Sequence, residues 1–255
     1  GKGSARVVYW PGEFNYSQII NFGVEHAKGD YLLLLNNDTE VISPDFIEEM
    51  MGYLQRPDAG VVGAKLYFAD HLVQHAGILV GVRGALAHAN QDFSAKREGY
   101  LARAVRPGNF SAVTGACQMV RRDVFERVGG YNEEFAVGFN DADFCLRVWE
   151  AGYHTIYTPY AELYHYEFTS RGREEANEEK LRRWKREQAL FMQRWPEFFL
   201  TGLTYLPRVS ISRFRQWFNC CREPLRPLRA MPIWCKWSVT PFGSAPTCIV
   251  PKVPL

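Results

Sequence analysis

Three carboxylates and one histidine stand where their types and spacing could do chemistry. Asp38 lies in the polar run NNDTE at 36–40, directly after an apolar stretch. In open α/β sheets, ligands bind beyond the carboxyl ends of strands. A carboxylate there is a natural hard ligand for Mg²⁺ or Mn²⁺. Asn-Asn-Asp-Thr equally suits a turn or a helix cap. Asp141 and Asp143 fall at the start of a helical pattern, where the helix dipole favours negative charge, so either can be a cap. Two residues apart on a helix they diverge, which makes them a poor metal clamp but leaves them free for separate roles. Arg147, four residues after Asp143, is its natural ion-pair partner. His165, within LYHY at 163–166, can ligate a metal through a neutral imidazole nitrogen or pack as a core residue.

The elements that must position these residues alternate between helices and short apolar strands, the rhythm of an α/β layered fold. Ser17 is placed to cap a helix with Ile20, Val24 and Ala27 on its apolar face, and Gly29 to end it. Residues 31–35 form an apolar run without alternation, which suits a central strand covered on both faces. Ser43-Pro44 then opens a helix bearing Phe46, Ile47, Met50, Met51 and Leu54. A strand is predicted over 61–66. Between 70 and 107 the pattern weakens into glycines and the scattered His71, His75 and His88. A loop of that length in a compact domain is usually functional or mobile. Further elements are predicted: a strand over 111–120, a short helix capped by Asp123, and a helix capped by Asn140 or Asp141 and closed by Gly152. Next come a short strand over 155–158 ended by Pro159 and a long helix over 174–195 with Leu181, Trp184, Gln188, Phe191 and Trp195 inward.

With 47% hydrophobic residues the chain can bury a real core. A formal net charge of +2 argues against a nucleic-acid binder. The charge is uneven: residues 201–255 hold eight Lys/Arg against the single acid Glu223. Residues 220–255 also hold seven of the fourteen prolines and four of the six cysteines, with no periodicity, and read as an irregular basic tail. Those cysteines lack paired C-x-x-C spacing, so no structural zinc is expected. The apolar run at 32–35 is far short of the roughly 20 residues that span a bilayer. With no secretory pattern at the start, the expected compartment is the reducing cytosol.

Eight segments carry a resemblance. They are FNYS at 14–17, LNNDTEVI at 35–42, GAKL at 63–66, QHAGI at 74–78, SAVTGAC at 111–117, RRDVFERVGGYNEEF at 121–135, FNDADFCLRVWEAGY at 139–153 and TPYAELYHYE at 158–167. In this order they resemble the family 2 glycosyltransferases, nearest the bacterial rhamnosyltransferase-like enzymes of O-antigen and cell-surface polysaccharide assembly. The likeness runs from residue 6 to residue 199. It implies a GT-A fold: a Rossmann-like mixed sheet flanked by helices, here lacking upstream β-α-β units that hold the nucleotide base. It divides the chain into a partial glycosyltransferase domain at 1–199 and a tail at 200–255.

The resemblance also implies roles. Asp38 is similar to the last acid of the family's D-x-D element, which holds Mg²⁺ or Mn²⁺ against the diphosphate of a nucleotide-sugar; Asn36 takes that element's first place. Asp141 resembles the catalytic base, and Asn140 stands where relatives often carry Glu. His165 resembles the histidine that completes the metal site. Arg171, in SRG at 170–172, is placed to meet phosphate. A sugar hydroxyl is a weak nucleophile at neutral pH, so a carboxylate must take its proton, while the departing diphosphate needs a counter-charge. One base and one metal suffice for direct displacement with inversion. The implied partners are a nucleotide-sugar donor and a glycan or polyprenyl-linked acceptor, with the basic tail compatible with an anionic membrane surface. Two other readings compete: a catalytically inactive fragment acting as a binding module, and a metal-dependent hydrolase or retaining glycosidase, which needs two carboxylates facing one sugar.

Overall fold

The computed structural model describes residues 6–82, 84–99, 102–166 and 178–200. The predicted tail over 200–255 and the SRG segment at 170–172 therefore fall outside the described residues, apart from Leu200.

One mixed sheet organises the chain. Its central strand is β3 (Ala59–Tyr67), in which all nine residues are buried. It pairs in parallel with β9 (His154–His165) and antiparallel with β8 (Cys117–Arg121). β1 (Tyr31–Leu35) adds antiparallel to β8, and β2 (Thr39–Val41) antiparallel to β9. β4 (Val73–His75) joins β3, β7 (Gly108–Asn109) joins β9, and β5 (Ile78–Val80) pairs with β6 (Leu86–His88) as a separate ribbon. A strand covered on both faces needs apolar residues at both parities, which is why β3 reads as a continuous run.

The two faces have separate cores. Val62, Ala64 and Leu66 of β3 meet Phe46, Met50 and Leu54 of helix α2 (Phe46–Leu54). Val61 and Tyr67 share the larger core on the other face with Val24, Phe135, Phe144, Val148 and Phe191. That face is covered by α1 (Tyr16–His26), α3 (Arg122–Arg127), α4 (Asn140–Glu150) and α5 (Glu178–Arg194). A last short helix, α6 (Glu197–Leu200), follows.

Several local expectations change. Asn15, not Ser17, caps α1: its side chain accepts from Gln18 N at 3.1 Å. Ser17 is buried within the first turn and donates to Phe135 O at 2.6 Å, so it serves tertiary packing. Ala27 rather than Gly29 closes that helix. Ser43 accepts from Glu162 N at 3.1 Å instead of capping α2. Pro159 does not end a strand. β9 runs through it because its pairing with β3 jumps from Gly63↔Tyr157 to Lys65↔Glu162, an irregularity in which proline's missing N–H is tolerated. The strand predicted over 111–120 is confined to β8, and 111–116 is an irregular approach whose backbone has other partners.

Buried charge locks α4 to α5. Asp143, with a fully buried side chain, meets Arg147 Nε at 2.8 Å and Arg194 Nε at 3.0 Å, and accepts from Trp195 Nε1 at 3.1 Å. Arg147 also donates to the carbonyls of Val128 and Gly130. Glu187 of α5 accepts from the backbone N–H of Ala136 at 3.1 Å and Gly138 at 2.7 Å, fixing the residues that lead into α4. Burial pushes the Glu187 carboxyl above its usual range.

Close approach of 111–116 to the sheet depends on Gly63, where a Cβ would lie 2.4 Å from Val113 Cβ. Gly63→Ala should therefore destabilise the fold by about 1–3 kcal/mol, as overpacking typically does. Urea unfolding followed by far-UV circular dichroism measures it, and an unchanged midpoint would contradict this packing.

Candidate active site

Asn36, Asp38 and His165 meet where β1 and β9 end. The 36–39 turn is fixed by three hydrogen bonds: Asn36 N to Ala116 O at 2.9 Å, Thr39 Oγ1 to Asn36 O at 2.8 Å, and Tyr166 N to Asp38 O at 2.9 Å. The β2–β9 pairing sets Thr39 opposite His165, which brings the Asp38 carboxylate to the imidazole. Asp38 Oδ1 lies 3.2 Å from His165 Nε2, and both side chains are largely buried.

The tautomer of His165 follows from its other neighbour. Gln74 of β4 grips the residue twice: its Nε2 donates to His165 O at 3.2 Å, and its Oε1 lies 2.7 Å from His165 Nδ1. An amide oxygen can only accept, so the ring proton sits on Nδ1 and Nε2 keeps its lone pair. Asn36 Nδ2, 3.3 Å from that nitrogen, is a matching donor. A neutral imidazole nitrogen held by an outer hydrogen bond, beside a carboxylate oxygen at a separation that a single ion can bridge, fits a divalent cation. Two protein ligands also suit an ion that completes its shell with phosphate oxygens and water. Among the described residues no group of three or more His, Cys, Asp or Glu is gathered for a metal.

Asp141 stands at the first turn of α4. Its Oδ2 accepts from Gly115 N at 3.0 Å and its Oδ1 from Ala142 N at 2.8 Å. The carboxylate is half-buried, held by two backbone donors and the helix N-terminus. Asn140 serves this turn, its Oδ1 accepting from Asp141 N at 2.7 Å. Asp143 points the other way into the α4–α5 lock, so Asp141 and Asp143 do not face one sugar and the two-carboxylate arrangement of a retaining glycosidase is not built from them. Arg171 lies outside the described residues.

The two halves are joined through Tyr16. Its hydroxyl lies 3.3 Å from Asn36 Oδ1 and 3.1 Å from Gly115 O, while the same Gly115 gives its N–H to Asp141. Sequence reasoning gave no role to Tyr16, Gln74, His75 or His88. The last three come from the stretch read as a loop, which carries β4 to β6 and turns at Gly77 (φ 96°) and Gly81 (φ 84°). A signal was present in QHAGI at 74–78, one side-chain amide and one imidazole set in an apolar context.

The mixed sheet flanked by helices is a GT-A fold. The fold is shared with a crystal structure of GalNAc-T7 with UDP, GalNAc and Mn²⁺, at a TM-score of 0.51 and 14% identity, covering 83% of this chain and 42% of that one. Residues 7–188 match the family described as glycosyltransferase like family 2, and the chain belongs to that family. It is 39% identical over 166 residues to the O-antigen biosynthesis protein RfbC of Myxococcus xanthus, covering 64% of this chain and 13% of that protein. It is 28% identical over 158 residues to an N-acetylglucosaminyl-diphospho-decaprenol L-rhamnosyltransferase of Mycobacterium tuberculosis, covering 58% of this chain. The chain thus spans from 13% to 50% of the length of these relatives. No helix of the described residues is long and apolar enough to cross a membrane.

The floor of the site contains His75, fully buried, whose pKa burial holds well below 6.5. A histidine neutral in the fold but protonated when unfolded below that value makes the unfolded chain bind more protons as pH falls. Stability should thus be intact above about pH 6.5 and decline as pH drops below it, with a slope of up to about 1.4 kcal/mol per pH unit from this group. Urea midpoints between pH 7.5 and 5.5 check this; a flat profile that His75→Gln leaves flat would contradict it.

Proposed function

We propose that this chain transfers a sugar from a nucleotide-sugar to a hydroxyl of a glycan or lipid-linked acceptor, with inversion at the anomeric carbon. Family membership supports glycosyl transfer. One observation carries the finer reading: Gly115 ties the Asp141 carboxylate, through Tyr16, to the Asn36–Asp38–His165 group. An ion site for diphosphate and a proton acceptor for the attacking hydroxyl are thus held in one frame.

Asp141 acts as the base. Two backbone donors fix its orientation, leaving further lone pairs to take the acceptor's hydroxyl proton as the anomeric carbon is attacked. Asp143, the other acid of this turn, is engaged in the α4–α5 lock and not placed for a covalent intermediate, which favours single displacement and inversion. Asp38 and His165 would hold Mg²⁺ or Mn²⁺. When bound, that ion supplies positive charge against the negative charge developing on the departing diphosphate. Gln74, by holding the ring proton on Nδ1, leaves the His165 Nε2 lone pair for that ion, and Asn36 and Arg171 are assigned to the nucleotide-sugar. The acceptor in the mycobacterial relative's name, a diphospho-decaprenol glycolipid, supports a lipid-linked acceptor. The excess of Lys/Arg over 201–255 supports contact with an anionic membrane surface.

Asp141→Asn should lower transfer about a hundredfold or more while nucleotide-sugar affinity is retained. Asp38→Asn should instead weaken Mn²⁺-dependent donor binding. Transfer assays over a panel of nucleotide-sugars with Mn²⁺, paired with calorimetric donor binding, separate the two; unimpaired turnover by Asp141→Asn would remove the base assignment.

A further inference from the structure

Two imidazoles lie against this site without a part in the mechanism above. His75 of β4 and His88 of β6 meet edge to face with their Nδ1 atoms 3.0 Å apart. Both are pushed below the ordinary histidine range, first by burial, and so are neutral near pH 7. A neutral imidazole has one donor and one acceptor, so its hydrogen bonds must be consistent around the ring.

The backbone fixes that consistency. His75 Nε2 faces two N–H donors, Gly77 N at 3.3 Å and Thr114 N at 3.4 Å, and must therefore accept. The His75 proton is then on Nδ1 and is donated to His88 Nδ1. His88, accepting there, must carry its own proton on Nε2, on the side of the ring turned away from His75. The His88 side of this pair is only half-buried, whereas His75 is fully enclosed. The two imidazoles are bracketed by the anchors of the base and of the ion-binding group: Gln74, next to His75 in β4, holds His165, and Thr114, whose N–H His75 accepts, precedes the Gly115 that holds Asp141; Asp141 and His165 also act electrostatically on His88. In the reaction proposed above, the space between those two groups is where the transferred sugar must sit: its anomeric carbon is bonded to the diphosphate on one side and attacked from the other.

We propose that His88, locked by His75 as the Nε2–H tautomer, donates a hydrogen bond to a hydroxyl of the transferred sugar and is a specificity-determining residue of the donor site. The contact rests on the nucleotide-sugar reading and adds to it a named donor for the sugar ring. A fixed donor distinguishes a sugar with a hydroxyl oxygen at that position from one without it, because the unmatched group would be left unsatisfied in the cleft.

The side-chain amides separate this role from simple pairing with His75. The amide of Asn overlays the Nδ1 edge of an imidazole and that of Gln the Nε2 position. Calorimetry on the full chain with Mn²⁺ would compare UDP-GlcNAc, GDP-mannose and dTDP-L-rhamnose with UDP, GDP and dTDP. For whichever sugar conjugate the wild type prefers over its bare nucleotide, His88→Ala and His88→Asn should lose about tenfold in affinity, the value of one hydrogen bond. His88→Gln should stay within about threefold, and bare-nucleotide affinity should be unchanged throughout. Long-range ¹H–¹⁵N spectra of the wild type should show His88 protonated at Nε2 and His75 at Nδ1.

A His88→Asn variant that binds the sugar conjugate as well as wild type overturns the contact, as does a His88 proton on Nδ1. Equal loss of bare nucleotide and conjugate also overturns it, since the defect would then lie in the diphosphate site. A wild type that binds the nucleotides but prefers no conjugate overturns the contact and leaves the nucleotide reading standing. A wild type that binds neither overturns both.

Discussion

A peptide group taken out of water must find a partner for its N–H and its C=O, and over residues 114–116 those partners are the site itself. Thr114 N–H is directed to His75, Gly115 N–H to Asp141, Gly115 C=O to Tyr16, and Ala116 C=O accepts from Asn36 N. Four elements distant in sequence are thereby referred to one short run of backbone. An extended strand here would have given those groups to a neighbouring strand. Their release explains why β8 begins only at Cys117, and why the apolar pattern over 111–116 does not produce a strand.

The frame behind this segment is held by buried polar groups as well as by apolar packing. Gly63 lets Val113 approach the sheet. Asp143 ties α4 to α5 through Arg147, Arg194 and Trp195. Glu187 holds the backbone just before Asn140, and so sets where the first turn of α4, with Asp141, begins. Removing one partner from such a cluster leaves an uncompensated charge, which costs more than the pair contributes. The two acids of α4 thus divide their work by direction: Asp143 fastens the helix and Asp141 meets the backbone of Gly115.

A short interval between strand ends and a helix N-terminus is a setting that serves phosphate chemistry generally, since cations, oriented amides and dipoles can be concentrated there without new elements. In this chain the strand ends bring the carboxylate–imidazole pair and the helix brings the second carboxylate. The ribbon of β5 and β6, with β4, brings Gln74, His75 and His88 beside them. Gln74 fixes the ring of His165, and His75 fixes that of His88.

The one-dimensional pattern settled what depends on local preference and on short spacing. The strand at Tyr31–Leu35 with the polar turn after it, the helix over Asn140–Glu150 and the divergence of Asp141 from Asp143 follow from apolar patterning and helical geometry, and are present. β1 is nevertheless at the end of the strand order with Tyr31 and Leu35 exposed, not a central strand covered on both faces, and the cap of α4 is Phe139, not Asn140 or Asp141. Motifs in order identified the family. What the chain alone left open was every choice between two satisfactory local partners. Ser17 and Ser43 are good caps by type, yet tertiary neighbours at Phe135 and Glu162 claim their hydroxyls. Pro159 is a strand breaker by type, yet an irregular β3–β9 register absorbs it. His165 could have been core or ligand, and only Gln74, 91 residues away, decides which nitrogen carries the proton. Periodicity records which face of an element is apolar; it holds no information on which distant donor meets which acceptor. That pairing, and with it the chemistry of the site, is fixed only when the sheet brings the elements together.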